Sequence, residues 1–399
     1  MNKVARGHCL AAKNHCYVAR YLLVVAIGCL SVMVWFMPRA ALAAETAVSA
    51  GAALLMDAET GAVLWEKDGY RELPPASTTK ILTALLALDI SPMEREVTVS
   101  AQAAAVGESG VGLIAGERFR LGELLDAAML KSANDACFAI AEGAVGSEPF
   151  FVRLMNLKAD ALGAAGANLC NTNGLPADEH CMSCYDLAVL ARYAMRNHEF
   201  AGRVGSRYGK MEGGSYTRDL KNTNKLLAMN EYVTGIKTGT TNAAGACLVS
   251  SMERNGRSVI AVVLNSADRY GDSLKLLNMG IDDFCNRVLI RRGEVLGSFN
   301  IPRTGVQLPA VAAADLCVTL AEETAADSFK ADYAWRRADE LTAVAKGDLL
   351  GTLRVYSDGK PVGAVNLLAA AEYRPSAVTL RLRAAGEALR SLLRVAFGG

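Results

Sequence analysis

From residue 51 onward, short apolar runs alternate with stretches of helical apolar spacing. Gly51 to Asp57 and Ala62 to Trp65 flank Ala58-Glu59-Thr60-Gly61, which predicts a β-hairpin. A helix follows behind Ser77, where Lys80 leads into Ile-Leu-Thr-Ala-Leu-Leu-Ala-Leu. Leu121 to Leu130 and Asp135 to Glu142 carry helical spacing, interrupted by Lys131-Ser132-Ala133-Asn134. Another helix is predicted from Pro149 to Leu162, with proline near its first turn and Gly163 closing it. Ser183 and Asp186 read as the capping start of a helix to Arg196. Tyr232 to Ile236 then reads as a strand ending in Lys237-Thr238-Gly239-Thr240-Thr241. Two more strands, Ala246 to Met252 and Ser258 to Leu264, are joined through Asn255-Gly256. Helices gathered between an early hairpin and a late meander predict an α+β, three-layer plan: an antiparallel sheet packed with helices.

The texture changes near Arg291. Runs such as Gly351 to Tyr356 and Pro361 to Leu367, linked by Ser357-Asp358-Gly359-Lys360, predict a small β-rich domain. At the far end, Val378, Leu380 and Leu382 alternate with polar residues as a strand does. Val378, Leu382, Ala385, Leu389, Leu392 and Ala396 also form a helical stripe opposite Arg383, Glu387, Arg390 and Arg394, a basic amphipathic helix suited to an anionic membrane surface. At the N-terminus, Lys3, Arg6, Lys13 and Arg20 precede the apolar run Tyr21 to Met37, and Ala41-Leu42-Ala43 offers a cleavage site. Cleavage is favoured over retention as an anchor, and either outcome puts the rest of the chain outside the cytoplasm. The expected organisation is a signal peptide (1–44), a catalytic domain (45–290), a small β-rich domain (291–375) and a membrane-associating end (376–399).

Composition adds limits. A chain of 399 residues with 52% apolar content has room for two cored domains, and a net charge of +1 gives no basis for a nucleic-acid partner. Of ten cysteines, Cys9, Cys16 and Cys29 fall in the targeting segment. Cys170, His180, Cys181 and Cys184 are drawable as a zinc site, but no second Cys-x-x-Cys answers Cys181-x-x-Cys184. No metal or other cofactor is expected; buried thiols or one local disulfide is the simpler reading.

The candidate chemistry lies in three stretches. Ser77-x-x-Lys80 puts a hydroxyl and an amine on one helix face, where a neutral lysine can take the serine's proton. A second cation such as Lys237 would favour that neutral form. Alone the motif says little, since on the order of one arises by chance in such a chain. Ser357-Asp358-Gly359-Lys360 is a second match, across a predicted turn. Ser132-Ala133-Asn134 alone is a loop with a cap, and Lys237-Thr238-Gly239 alone a strand end. Their succession in this order is the signature of class A β-lactamases and penicillin-binding proteins. The chain resembles the D-alanyl-D-alanine carboxypeptidases, the low-molecular-mass penicillin-binding proteins. Pro-Ala-Ser-Thr-Thr-Lys (75 to 80), Leu-Lys-Ser-Ala-Asn-Asp-Ala (130 to 136), Asn-Gly-Leu-Pro (173 to 176), Asn-Thr-Asn-Lys-Leu-Leu (222 to 227) and Gly-Ile-Lys-Thr-Gly-Thr-Thr (235 to 241) carry the likeness. Many relatives have glycine where Ala133 stands.

The resemblance implies a β-lactamase/transpeptidase-like sandwich followed by a small β-rich domain. It implies substrates that are peptidoglycan stem peptides ending in D-Ala-D-Ala, and β-lactams as covalent inhibitors. Ser77 is the implied nucleophile, Lys80 its base and Ser132 a proton relay held between Lys80 and Lys237. Asn134 is implied to hold the substrate amide, and Lys237, Thr238, Gly239 and Thr240 the strand that receives its carboxylate, with the Ser77 and Thr240 N–H groups facing the oxyanion. A β-lactamase is disfavoured, because Gly163 to Gly174 carries no deacylating carboxylate. A non-catalytic wall-binding protein is disfavoured too, because binding alone needs no serine paired with a lysine. The same motifs admit a D,D-endopeptidase, which differs in whether the bond cut is terminal or a cross-link. Arg269 reads equally as a substrate contact or a loop charge.

Overall fold

The computed structural model describes residues 47–376, apart from 302–303, 323, 325–328, 337–342 and 358, together with residues 385 and 388. The predicted targeting segment (1–44) and, those two residues aside, the amphipathic stretch from Val378 lie outside the described residues.

Before residue 265 the described strands are β1 (Ala52–Asp57), β2 (Val63–Lys67), β3 (Glu96–Thr98), β4 (Arg118–Arg120), β5 (Tyr208–Met211), β6 (Arg218–Lys221), β7 (Val233–Thr241), β8 (Gly245–Arg254) and β9 (Arg257–Leu264). Five of them form an antiparallel sheet in the order β2-β1-β9-β8-β7, while β3 pairs with β4 and β5 with β6. Strand β1 is buried throughout because the sheet is covered on both faces. Ala52, Leu54 and Met56 face the helical cluster, with Ile260 and Val262 beside them. Ala53 and Leu55 face the opposite layer, with Leu276 and Leu277 of the helix Arg269–Asp282. Two-sided burial is why β1 and β9 read as continuous apolar runs and not as an alternation.

The strand after Tyr232 ends in Lys237-Thr238-Gly239-Thr240-Thr241, as the sequence predicted, and forms an edge of the sheet. Asn255 and Gly256 both take positive φ (55° and 74°) at the β8–β9 turn, as a two-residue hairpin loop requires. Ser183 caps the helix Cys184–Ala194 through a reciprocal box with Asp186. The helix Arg269–Asp282 is not among the elements the sequence predicts, and Arg269, beyond the last predicted strand, opens it.

The C-terminal part is β-rich: a five-stranded sheet and a two-stranded one built from Phe284 to Ala369, with its own core around Leu350, Leu367 and Ala310. Ser357 and Lys360 pair across its last hairpin. This second Ser-x-x-Lys is therefore a turn. Thr319 Oγ1 lies 2.6 Å from Thr60 Oγ1, and Asn286 Nδ2 donates to Glu59 Oε2 at 2.8 Å, so these contacts meet the first domain at the β1–β2 turn.

Candidate active site

Pro74-Pro75 delivers the chain into a 3₁₀ turn, Ala76–Thr79, continuous with the helix Lys80–Ile90. Ala76 is held at φ +49°, a conformation a non-glycine residue keeps only when its surroundings fix it. They do. The Thr78 and Thr79 hydroxyls donate back to Pro75 O (2.6 Å) and Ala76 O (2.9 Å). Lys80, one turn past Ser77, is buried, with Nζ 2.8 Å from Ser77 Oγ, 2.8 Å from Asn134 Oδ1 and 2.6 Å from the Asn173 carbonyl.

The helix from Leu121 widens into a π turn, Ala127–Lys131, a local irregularity often found at functional sites, and ends on Ser132 at φ +64°. Ala133 occupies the cap of the next helix. Asn134 is thereby spared the capping role and reaches across, with Oδ1 on Lys80 and Nδ2 donating to Gly107 O at 3.1 Å. Ser132 lines the same cavity as Ser77.

The remaining wall is β7, whose outer edge pairs with no other strand of the sheet. Thr238, Gly239 and Thr240 line the cavity. Lys237 lies behind them, buried, donating from Nζ to Thr238 O at 3.0 Å. A Cβ on Gly239 would stand 2.9 Å from Ser77 N, so only glycine lets the strand approach the serine this closely. Arg269 is not an isolated loop charge: it opens its helix and its Nη1 donates to Gly239 O (2.7 Å), Thr240 Oγ1 (2.9 Å) and Cys247 O (3.2 Å). The cavity enclosed by these walls is about 850 Å³.

Burial lowers Lys80 to about 8 from its usual 10.5. Burial also brings Lys237 well below its ordinary value, and the charge of Lys80 adds to that. Desolvation, not a neighbouring cation, is therefore the main reason Lys80 reaches its neutral form; the repulsion between the amines is registered at Lys237.

Two supports have roles that the sequence did not assign. Asn173 contributes only a carbonyl, which no side-chain pattern reveals. His180, drawn above as a zinc ligand, accepts from Cys170 N at Nδ1 (3.0 Å) and faces Thr79 Oγ1 at 2.9 Å through Nε2. Since Nδ1 accepts, Nε2 carries the proton and donates to Thr79, whose own hydroxyl is committed to Ala76 O. Burial lowers His180 to about 4, so the ring is neutral and braces the turn that carries Ser77. The seven cysteines from Cys137 to Cys317 are free.

Gly174 sits at φ +83°, and a Cβ there would fall 1.9 Å from Ala76 O. Gly174→Ala must therefore push the Ser77 turn away. Acylation by benzylpenicillin is expected to fall about 10²-fold, the scale of a 1 Å misplacement of a reacting group, with the far-ultraviolet spectrum preserved. Stopped-flow acylation rates check this, and an unchanged rate would show that the contact does not position Ser77.

A serine braced against a buried lysine, beside the open edge of an antiparallel sheet, defines a serine hydrolase of the penicillin-binding class. Comparison with known proteins agrees. Residues 39–268 match the family model described as D-alanyl-D-alanine carboxypeptidase, and residues 284–374 the C-terminal domain of penicillin-binding protein 5. The chain belongs to the D-alanyl-D-alanine carboxypeptidase family. It is 31% identical over 326 residues to the carboxypeptidase DacF of Bacillus subtilis, covering 79% of this chain and 84% of DacF. It is 29% identical over 352 residues to DacC of Escherichia coli, covering 82% and 86%. The solved penicillin-binding protein 5 of Haemophilus influenzae has the same fold, with a TM-score of 0.71 at 24% identity over 82% of this chain and 98% of that one.

Proposed function

We propose that the protein removes the terminal D-alanine from peptidoglycan stem peptides through an acyl-enzyme on Ser77, and that penicillin acylates the same serine. The observation that carries this reading is the threefold hold on Lys80. A neutral amine has two N–H groups and one lone pair. Asn134 Oδ1 and the Asn173 carbonyl accept from the two N–H groups, which leaves the lone pair facing the Ser77 hydroxyl 2.8 Å away.

In the proposed sequence Ser77 Oγ attacks the carbonyl between the two D-alanines and its proton passes to Lys80. The oxyanion is met by the N–H groups of Ser77 and Thr240. As the C–N bond breaks, Ser132 relays the proton to the departing amine. Water then attacks the ester, which releases the shortened peptide and restores Ser77. Asn134 and the open edge of β7 take the substrate backbone as an added strand. Thr238, Thr240 and Arg269 receive the terminal carboxylate, with Lys237 behind them supplying field. The N-terminal segment to residue 44 acts as the export signal and the stretch from 376 as the membrane contact, placing residues 45–290 and 291–375 at the outer face of the cytoplasmic membrane.

The test is D-alanine release from N-acylated peptides ending in D-Ala-D-Ala, read beside intact mass after benzylpenicillin. Release together with a stable adduct is expected. Rapid penicillin consumption without an adduct would indicate a β-lactamase, and release only from cross-linked peptides an endopeptidase. Lys237→Ala is expected to lower kcat/KM for a free-acid peptide about 10- to 100-fold, the scale of a charge acting through space from behind the carboxylate's contacts, and to affect a C-terminal amide less. Wild-type kinetics on the free acid would remove Lys237 from carboxylate recognition.

A further inference from the structure

The cavity that begins at Ser77 is far more basic than the chain that forms it. Lys131, Arg207, Lys221, Lys225 and Arg269 line it and no aspartate or glutamate does, in a protein whose net charge is +1. Arg269 is committed to β7. The other four are exposed, and none takes part in the ion pairs found among the described residues. A single departing D-alanine with one carboxylate leaves most of that wall uncovered.

The wall is also fixed in place. Thr223 Oγ1 lies 2.6 Å from Thr238 Oγ1 on β7, and Thr223 N donates to Leu130 O at 3.0 Å in the π turn. Asn222 Nδ2 is tied to Val204 O (3.1 Å) and Ser206 O (2.8 Å). The segment from Lys221, the last residue of β6, to Lys225 is therefore tied to both catalytic walls, so its backbone needs no ordering when a ligand binds.

We propose that Lys131, Arg207, Lys221 and Lys225 form a carboxylate-reading subsite that selects stem peptides whose side carboxylates are free over those in which they are carboxamides. The inference rests on the peptidase reading above and names the substrate class of that site. The carboxylates it would read are those on the residues that precede D-Ala-D-Ala in the substrate. Like-charged groups spaced within a Debye length act on them together, so the preference weakens as salt rises.

The experiment compares kcat/KM for two peptides ending in D-Ala-D-Ala, identical except that the preceding residues bear carboxylates in one and carboxamides in the other. The wild-type protein is expected to prefer the carboxylate peptide about three- to tenfold at low ionic strength, the sum of several exposed ion pairs. The preference should shrink at about 0.5 M salt, where screening shortens the reach of exposed charges. In Lys221→Gln/Lys225→Gln the ratio should fall toward one, and Lys225→Glu, which removes as much positive charge from the subsite, should lower it similarly, while penicilloyl adduct formation reports that each variant is folded. Equal turnover of the two peptides by the wild type, or an unchanged ratio in the double variant, would overturn the subsite. An adduct without turnover of either peptide would instead overturn the peptidase reading, and the subsite with it.

Discussion

Ser77→Ala yields a folded protein that forms no penicilloyl adduct and releases D-alanine at least about 10⁴-fold more slowly, the scale seen when a serine nucleophile is deleted from a hydrolase. Folding should survive because the hydroxyl is half-buried and the hydrogen bond it contributes is the one to Lys80. Losing one such bond costs about 1 kcal/mol, and Asn134 and Asn173 still hold the amine. The measurement is intact mass over time with benzylpenicillin beside a thermal midpoint. Ser132 lines the same cavity, so peptide mapping of any residual adduct matters. An adduct on Ser132 in the variant would move the nucleophile from the helix start to the π turn.

What the sequence disclosed follows the physics of each element. β1 and β9 were readable because two-sided burial demands apolar residues at every position. The reach from Ser77 to Lys80 was readable because residues three apart share a helix face. By contrast, the helix Arg269–Asp282 packs only one face on the sheet, so its apolar positions (Leu274, Leu276, Leu277, Ile281) are diluted among polar ones. Its start is marked by Asp268, whose carboxylate accepts from Gly271 N at 3.0 Å, a cap hidden behind Ser266-Ala267. Neither signal lets the sequence place Arg269 on an element. The carbonyl of Asn173 and the close approaches at Gly174 and Gly239 are backbone matters. A sequence shows them at most as an unexplained glycine. His180 is the opposite case: its cysteine neighbours suggested a ligand, whereas its two ring nitrogens are both spent on bracing Thr79 and Cys170.

The second large effect is expected at Lys80. If the neutral amine is the base, acylation requires the deprotonated form, so the rate rises with pH, close to tenfold per unit, until it levels above the group's pKa of about 8. Lys80→Met keeps the volume and removes the lone pair. Acylation should then slow by about 10² to 10⁴, the usual contribution of a positioned general base, and the rise through pH 8 should vanish. The variant also strands Asn134 Oδ1 and the Asn173 carbonyl, at about 1–3 kcal/mol for each unsatisfied group, so rates belong well below its thermal midpoint. The pH profile separates the two amines. Lys237 is buried beside Lys80 and is lowered by its charge, so a rise with pH that persisted in Lys80→Met with its midpoint moved upward would assign the titration to Lys237 and reverse their roles. A flat profile with slow residual acylation would leave the lone pair of Lys80 as the acceptor of the Ser77 proton, since the replacement retains the packing and lacks only the base.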